Sequence, residues 1–357
     1  MLDIPKIRAV LDTASRWDMD LEQFACWSHA HLFNPVLPLE ELEAWEEQMQ
    51  VTLPEDYRTY LTQLGNGGAG PAYGLFPFPC PVDAKLRQPC IYSDDREEAF
   101  RDVVRRYIRV EESDDDWNLY LDYYPDMPAW KDQRWQDAHR KEWWDELDHL
   151  LNRDLYFPML NHGQHMIANE GCSVDIYLIL NGSHRGYVHC CTTDCDPDLA
   201  YPEPRTFAAY QAEHLNRTFA DYFMSYVNRV DDLCRNLSAE KRQKFRRERA
   251  QARDFLAAVQ AQDWDGVVKL LNAIEDPAAL STKSKSLYIH CDEHHLLRPP
   301  LAADPDVKRF YDRLYGRHGR DHGNWVTWVQ CYDPSETHRA PYPRPTFEAF
   351  VQTFFDP

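Results

Sequence analysis

Val51-Thr52-Leu53-Pro54-Glu55-Asp56-Tyr57-Arg58-Thr59-Tyr60-Leu61-Thr62-Gln63-Leu64-Gly65-Asn66-Gly67-Gly68 is the stretch on which the reading of the fold turns. Pro54 suits a first helical turn, where a missing N–H is no loss, and Glu55 and Asp56 face the positive end of the helix dipole. Tyr57, Tyr60, Leu61 and Leu64 then fall at i, i+3, i+4 and i+7, the stripe of a helix that buries one face. Gly65, Asn66, Gly67 and Gly68 are expected to supply the positive-φ positions that stop it.

Upstream, Leu39, Leu42, Trp45 and Met49 recur at helical spacing among glutamates, which predicts an amphipathic helix with one buried stripe. Residues 1–35 carry two more helical patterns, one from about Pro5 to Trp17 and one after Asp20 with Leu21, Phe24, Ala25 and Leu32 on a single face. Downstream, Tyr73-Gly74-Leu75-Phe76 reads as a short strand. Residues 94–155 are highly charged and Trp-rich, with an acidic run from Glu111 to Asp116 and helical patterning from about Trp130 to Leu151; most of this reads as an insertion.

Strand-like segments follow at Asp154–Asn161, His165–Asn169, Ser173–Asn181 and Gly186–Thr193, separated by turn residues, so an antiparallel meander is expected. Val174, Ile176, Leu178 and Leu180 alternate with Asp175, Tyr177 and Ile179 and mark one firmly buried face. Thr206 is expected to cap an amphipathic stretch, with Phe207, Tyr210 and Leu215, that runs on through Phe219, Phe223 and Val227 and closes the main domain near Leu237. A basic helix from about Ala239 to Arg253 reads as a linker. Beyond it, residues 254–274 read as a helical hairpin hinged at Asp263 to Gly266, Trp325–Cys331 as a strand, and Thr346-Phe347 as the start of a last helix. The approach Tyr342-Pro343-Arg344-Pro345-Thr346-Phe347 echoes Tyr201-Pro202-Glu203-Pro204-Arg205-Thr206-Phe207, a partial structural echo or convergent turn chemistry.

The segment Leu39 to Phe78 (Glu-rich helix, Leu53-Pro54-Glu55-Asp56-Tyr57, helix, Asn66-Gly67-Gly68, then Gly74-Leu75) resembles the N-terminal signature of the SUKH superfamily. That family includes bacterial toxin-immunity proteins and the yeast cell-wall assembly regulator. Its domains continue with a meander and end with a helix that opens on a Thr-Phe or Ser-Phe pair, a place that Thr206-Phe207 takes here. The resemblance covers about 40 residues well and about 120 loosely. It departs at the insertion and over everything after Ala239.

Together these readings give an α+β fold: an antiparallel β-sheet packed by flanking helices, SUKH-like, with a helical N-terminal extension over residues 1–35. The main domain spans about residues 36–237 with an insertion at about 82–154. A basic linker helix at 238–254 leads to a smaller C-terminal α+β subdomain at 255–357.

The 357 residues carry 59 Asp plus Glu against 39 Lys plus Arg, a formal net charge of -20. Such a surface repels nucleic acid and anionic membranes and speeds encounter with basic partners, although acidity also serves solubility alone. No basic start followed by an apolar run, and no apolar run long enough to span a bilayer, is present, so residence in the cytoplasm is expected. Ten cysteines are scattered without zinc-ribbon or disulfide-framework spacing and read as reduced, mostly core-filling thiols.

Among chemistry-bearing patterns, His189, Cys190, Cys191, Asp194 and Cys195 form the densest metal-type cluster, and His290, Cys291, Asp292, Glu293, His294 and His295 a second. Neither has paired C-x-x-C spacing or His-Glu-x-x-His order, and Pro299-Pro300 close behind the second argues for a solvated loop. A Cys–His nucleophilic pair built on Cys172 or Cys191 is equally open to any of 15 histidines and so carries no weight. Asn66-Gly67-Gly68-Ala69-Gly70 follows a helix, not a strand, and reads as a cap instead of a phosphate cradle. No catalytic residue, metal or cofactor is therefore assigned, and no enzyme activity is expected.

The acidic run is the feature with a use. A nuclease-type toxin must attract phosphate and so has a basic active site, which carboxylates can occupy by charge mimicry. Glu111, Glu112, Asp114, Asp115 and Asp116, with Trp117 and Tyr120 as aromatic anchors, are the candidate partner-binding residues; a solvated acidic loop is the alternative reading. The resemblance implies an immunity protein that binds a cognate toxin domain and blocks its active site. The alternatives are an intracellular scaffold or regulatory interaction module without a toxin partner, and a metal-dependent enzyme built on the two His/Cys clusters.

Overall fold

The computed structural model describes residues 1–78, 84–90, 93–94, 108–113, 116–121, 162–171, 174–192, 215–293, 301, 304–315 and 346–355. It is a mixed α+β chain that divides into two compact units, neither contiguous in sequence. One holds residues 37–62 and 78–222; the other holds residues 2–36, 63–77 and 223–357.

In the first unit, helix α2 (Leu39–Met49) follows α1 (Ile4–Trp17) in chain order and buries Leu42, Trp45 and Met49. Leu39 departs from the expected stripe. It is 51% exposed, because it opens the first turn, before the helix has wound its apolar face inward. Helix α3 (Glu55–Thr59) starts directly after Pro54 and widens into a π turn over Tyr60–Leu64. Tyr57, Tyr60, Leu61 and Leu64 are all at most 4% exposed, so the stripe buries as its spacing dictates.

A four-stranded antiparallel sheet has the order β3-β4-β5-β6, with β3 Gln164–Asn169, β4 Val174–Ile179, β5 Tyr187–Thr192 and β6 Arg217–Thr218. The meander is as expected, and Ile176, Leu178 and Leu180 lie on its buried face. Ile179 is also fully buried, so β4 is covered on both faces at that end. The turn before β3 needs Gly163 at φ 60°, where any Cβ would meet the Gln88 carbonyl at 2.4 Å. A separate hairpin pairs β1 (Ile108–Ser113) with β2 (Asp116–Leu121). The expected strand at Asp154–Asn161 and helix at Trp130–Leu151 lie outside the described residues.

Helix α4 (Phe219–Arg235) begins at Thr218-Phe219, not at Thr206. The continuous amphipathic stretch expected from Thr206 is interrupted, since Arg217-Thr218 pairs with Tyr187-Val188 as an edge strand. The Thr218 hydroxyl accepts the Asp221 N–H at 3.2 Å while the Asp221 carboxylate accepts the Thr218 N–H, a reciprocal start that a β-branched strand residue can make. Phe219 then packs edge-on against both Tyr57 and Tyr60, at ring separations of 5.1 and 5.7 Å. The earlier Thr206-Phe207 pair lies outside the described residues.

The second unit is mostly helical: α1, most of α4, α5 (Ala239–Ala261), α6 (Trp264–Asn272), α7 (Thr282–Glu293), α8 (Pro305–Tyr315) and α9 (Phe347–Gln352). Its core gathers Met19, Cys26, Phe245, Phe255, Leu287, Tyr288, Phe310 and Phe350. The segment expected as an N-terminal extension thus supplies core residues. So does the basic helix expected as a linker: α5 buries Phe245, Ala252 and Phe255, and its buried Glu248 accepts the Ser281 N–H and the Ser284 hydroxyl at the start of α7. A carboxylate at a helix N-terminus satisfies orphan donors, which is why a charged residue sits inside. The α5–α6 hairpin forms, with its hinge at Gln262 (φ 58°) and Asp263, whose side chain accepts the Gly266 N–H. Thr346 caps α9 as read from the sequence. The strand expected at Trp325–Cys331 lies outside the described residues, and those described after 255 form helices and turns.

The helix expected after Asp20 does not form. Leu21, Ala25, Ala30 and His31 have φ of 52°, 58°, 48° and 63°, a single short 3₁₀ turn occupies Cys26–Ser28, and Phe24 is 66% exposed. Buried Ser28, His29 and His31 need hydrogen-bond partners that a helix would not provide, and the looped backbone supplies them. The glycine stop differs too: of the four expected positive-φ residues only Gly67 (82°) and Gly68 (95°) have it. Gly65 is required for space instead, as a Cβ there would lie 2.6 Å from the Asn34 carbonyl oxygen. Tyr73–Phe76 makes one isolated bridge, Gly68 to Leu75, in place of a strand.

Candidate functional site

Glu111 and Glu112 lie on β1, and Asp116, Trp117 and Tyr120 on β2, so these five belong to a paired hairpin. The register sets Glu112 opposite Trp117, Glu111 opposite Asn118, and Tyr120 opposite Arg109. Asp114 and Asp115 lie outside the described residues.

The described members of the two His/Cys clusters sit on regular elements. His189, Cys190 and Cys191 are consecutive on β5, where Tyr177, Ile176 and Asp175 pair with them. Asp194, Cys195 and Cys172 lie outside the described residues. His290, Cys291 and Asp292 are in α7, a helix where a solvated loop was expected. Cys291 is fully buried and Asp292 accepts the Tyr315 hydroxyl at 2.9 Å. The prolines at 299 and 300 come late enough for the helix to finish at Glu293; His294 and His295 lie outside the described residues. Cys26, Cys90, Cys234 and Cys291 are buried free thiols, the core-filling role expected of them.

The cluster that sequence reading missed is in the second unit. Among the described residues, Asp18, Cys26 and His31 are the one group of three His, Cys, Asp or Glu side chains whose ligand atoms converge, all within 4.8 Å of one another. Each is 1% exposed. Asp18 caps the end of α1 and uses its two oxygens separately: Oδ1 accepts the Glu22 N–H at 3.1 Å and Oδ2 faces His31 Nε2 at 2.8 Å. His31 Nδ1 lies 2.8 Å from the Tyr226 hydroxyl of α4, so both ring nitrogens are engaged. Burial, followed by the Asp18 charge, pushes the Cys26 thiol well above its ordinary value and keeps it protonated.

Two neighbours frame this group. His29 is fully buried; its Nδ1 accepts the His31 N–H at 3.0 Å and its Nε2 meets the Ala72 carbonyl at 3.2 Å, which fixes a neutral tautomer with the proton on Nε2. Burial, then the adjacent His31, lowers its pKa to about 3. Lys283 of α7 is fully buried as well. It donates to the Ser15 carbonyl and, at 2.6 Å, to the Thr353 hydroxyl, and its ammonium lies 5.6 and 5.5 Å from the Phe350 and Phe354 ring centroids. Burial lowers its pKa to about 7 against the opposing pull of Asp18. The only local sign of this in the sequence is Ser28-His29-Ala30-His31, polar residues interleaved with small apolar ones; Asp18, Tyr226 and Lys283 arrive from segments up to hundreds of positions away.

No helix among the described residues is long and apolar enough to cross a membrane. No family model, no curated protein and no solved structure matches this chain.

Proposed function

We propose that the chain is a SUKH-like immunity protein that binds a cognate toxin domain in the cytoplasm and blocks its active site without transforming a substrate. The observation that carries this reading is the packing inside the first unit. The proline-started helix α3 sets Tyr57 and Tyr60 against Phe219, the second residue of a Thr-Phe pair that opens the helix following the antiparallel meander. The resemblance implies that order of elements with Thr206-Phe207 as the pair, and Thr218-Phe219 is a second such pair, at the start of α4.

The β1–β2 hairpin supports a role in recognition. It sets Glu111, Glu112, Asp116, Trp117 and Tyr120 on two paired strands, and the chain's net charge of -20 favours a basic partner such as a nuclease domain. A paired ribbon presents side chains at fixed spacing, which lowers the ordering cost of binding relative to a free loop. The test is stoichiometric titration of the purified chain into the toxin encoded beside its gene. Activity should be lost at a one-to-one ratio, and Glu111→Lys with Glu112→Lys should slow association steeply at low salt. Full toxin activity in excess chain refutes the immunity reading and leaves the scaffold alternative, for which co-purifying housekeeping partners are the positive sign.

A further inference from the structure

We propose that Asp18, Cys26 and His31 bind a zinc ion in the interior of the second unit, with Tyr226 as the positioning residue that orients the histidine. Zinc takes sulfur, imidazole nitrogen and carboxylate oxygen together, and three protein ligands hold it in many sites. Their converging atoms lie within 4.8 Å of one another, close to the spacing of ligands around a tetrahedral ion, so small side-chain movements suffice. Soft thiolate and imidazole donors disfavour magnesium and calcium.

The surrounding hydrogen bonds already fit the loaded state. Asp18 Oδ1 is held by the Glu22 N–H, which leaves Oδ2 to ligate through one oxygen. His31 Nε2 is free to ligate once its proton has moved to Nδ1. The Tyr226 hydroxyl serves both states, donating to Nδ1 before and accepting from Nδ1–H after, the outer partner that metal-bound histidines usually have. Asp18 and a Cys26 thiolate carry two negative charges, so Zn²⁺ gives a neutral centre. On binding, the Cys26 thiol proton goes to solvent, the His31 proton changes nitrogen, and no oxidation occurs. Lys283 from α7 and Arg249 of α5 are the cationic groups that face the cluster and oppose the ion, while Asp18 and the Cys26 thiolate offset them.

The backbone gives a further reason. Leu21, Ala25, Ala30 and His31 hold left-handed conformations between and beside the ligands, at φ 48–63°. Such a conformation is unfavourable for a residue with a Cβ and persists where its surroundings over-determine it, as at ligand clamps. A metal tying residues 18, 26 and 31 together would do so.

The experiment is metal titration of the full chain, reduced and stripped with chelator. One equivalent of zinc should bind and raise the melting temperature. Zinc-edge X-ray absorption of the wild type should show one sulfur, at about 2.3 Å, with nitrogen or oxygen for the rest. Two or more sulfurs would place the ion at other cysteines and overturn the proposal, as would failure to bind at micromolar zinc. Cobalt loading should give a thiolate charge-transfer band that Cys26→Ser abolishes and Cys191→Ser retains; a band surviving Cys26→Ser overturns it too. Tyr226→Phe should weaken zinc by about 10–100-fold, the usual effect of losing an outer partner. The wild-type absorption spectrum decides the question even where Cys26→Ser does not fold.

Discussion

Replacing Lys283 by Met should leave a pH signature that no packing defect mimics. The ammonium lies in a fully buried setting, faced by Asp18, Cys26 and Arg249, with a pKa lowered from 10.5 to about 7. Below pH 7 both the folded and unfolded chains hold the proton and its burial cost is constant. Between 7 and 10.5 the unfolded chain binds more protons, so stability rises with pH at ~1.4 kcal/mol per pH unit. From pH 7.5 to 9.5 this gives the wild type ~2.5 kcal/mol that Lys283→Met, which has nothing to titrate, does not gain. Methionine keeps the unbranched shape against Phe350 and Phe354 but leaves the Ser15 carbonyl and Thr353 hydroxyl one donor short, a pH-independent loss of about 1–3 kcal/mol. The variant should therefore match or exceed the wild type at pH 6 and fall clearly below it at pH 9.5. Urea unfolding of both chains in chelator, at half-unit pH steps, measures the difference. Profiles that run parallel within about 0.5 kcal/mol across that window would refute the buried-cation account.

His29 predicts acid lability. Its folded pKa of about 3 lies below the ordinary 6.5, so the stability it supports is complete above pH 6.5 and lost as pH falls towards 3. At pH 4.5 the loss is roughly 2.5–3 kcal/mol, and His29→Phe should flatten that limb of a stability–pH curve. A double-mutant cycle on Tyr57→Ala and Phe219→Ala should return about 0.5–1.5 kcal/mol of coupling beyond single losses of about 3–5 kcal/mol each, read from chemical denaturation. Arg185 donates to the Thr52 carbonyl at 2.9 Å and the Leu53 carbonyl at 2.6 Å, fastening the β4–β5 turn to the approach of α3. Arg185→Ala should cost about 1–2 kcal/mol, and Lys should restore little of it, since one ammonium cannot reproduce the planar fork.

What the sequence revealed tracks how local the physics is. The stripes of α2 and α3, the β3–β5 meander and the α5–α6 hairpin rest on periodicity and turn chemistry within a few residues, and they were legible. Residues 18–34 were not: Leu21, Phe24, Ala25 and Leu32 have helical spacing, yet the partners needed by Ser28, His29 and His31 lie at Tyr73, Ala72 and Tyr226. α5 looked like a tether because its charges dominate, and Glu248 faces inward only because the start of α7 offers it donors from over 30 positions away. The break in the stretch expected to run on from Thr206 was not legible because nothing local announces that Arg217-Thr218 will pair with β5. The Asp18–Cys26–His31 cluster was hidden for the same reason. Its members are ordinary residues until distant elements enclose them.

Lys283 reaches back across 268 positions to the Ser15 carbonyl and forward 70 to Thr353. On a ribosome, which releases the chain from its first residue onward, α1 is exposed long before α7 and α9 exist. Ser15, in its last turn, has no lysine ammonium to accept from until α7 has been made. Biosynthesis of this unit is therefore a matter of waiting: a segment made early must stay unaggregated until α7 and α9 follow it.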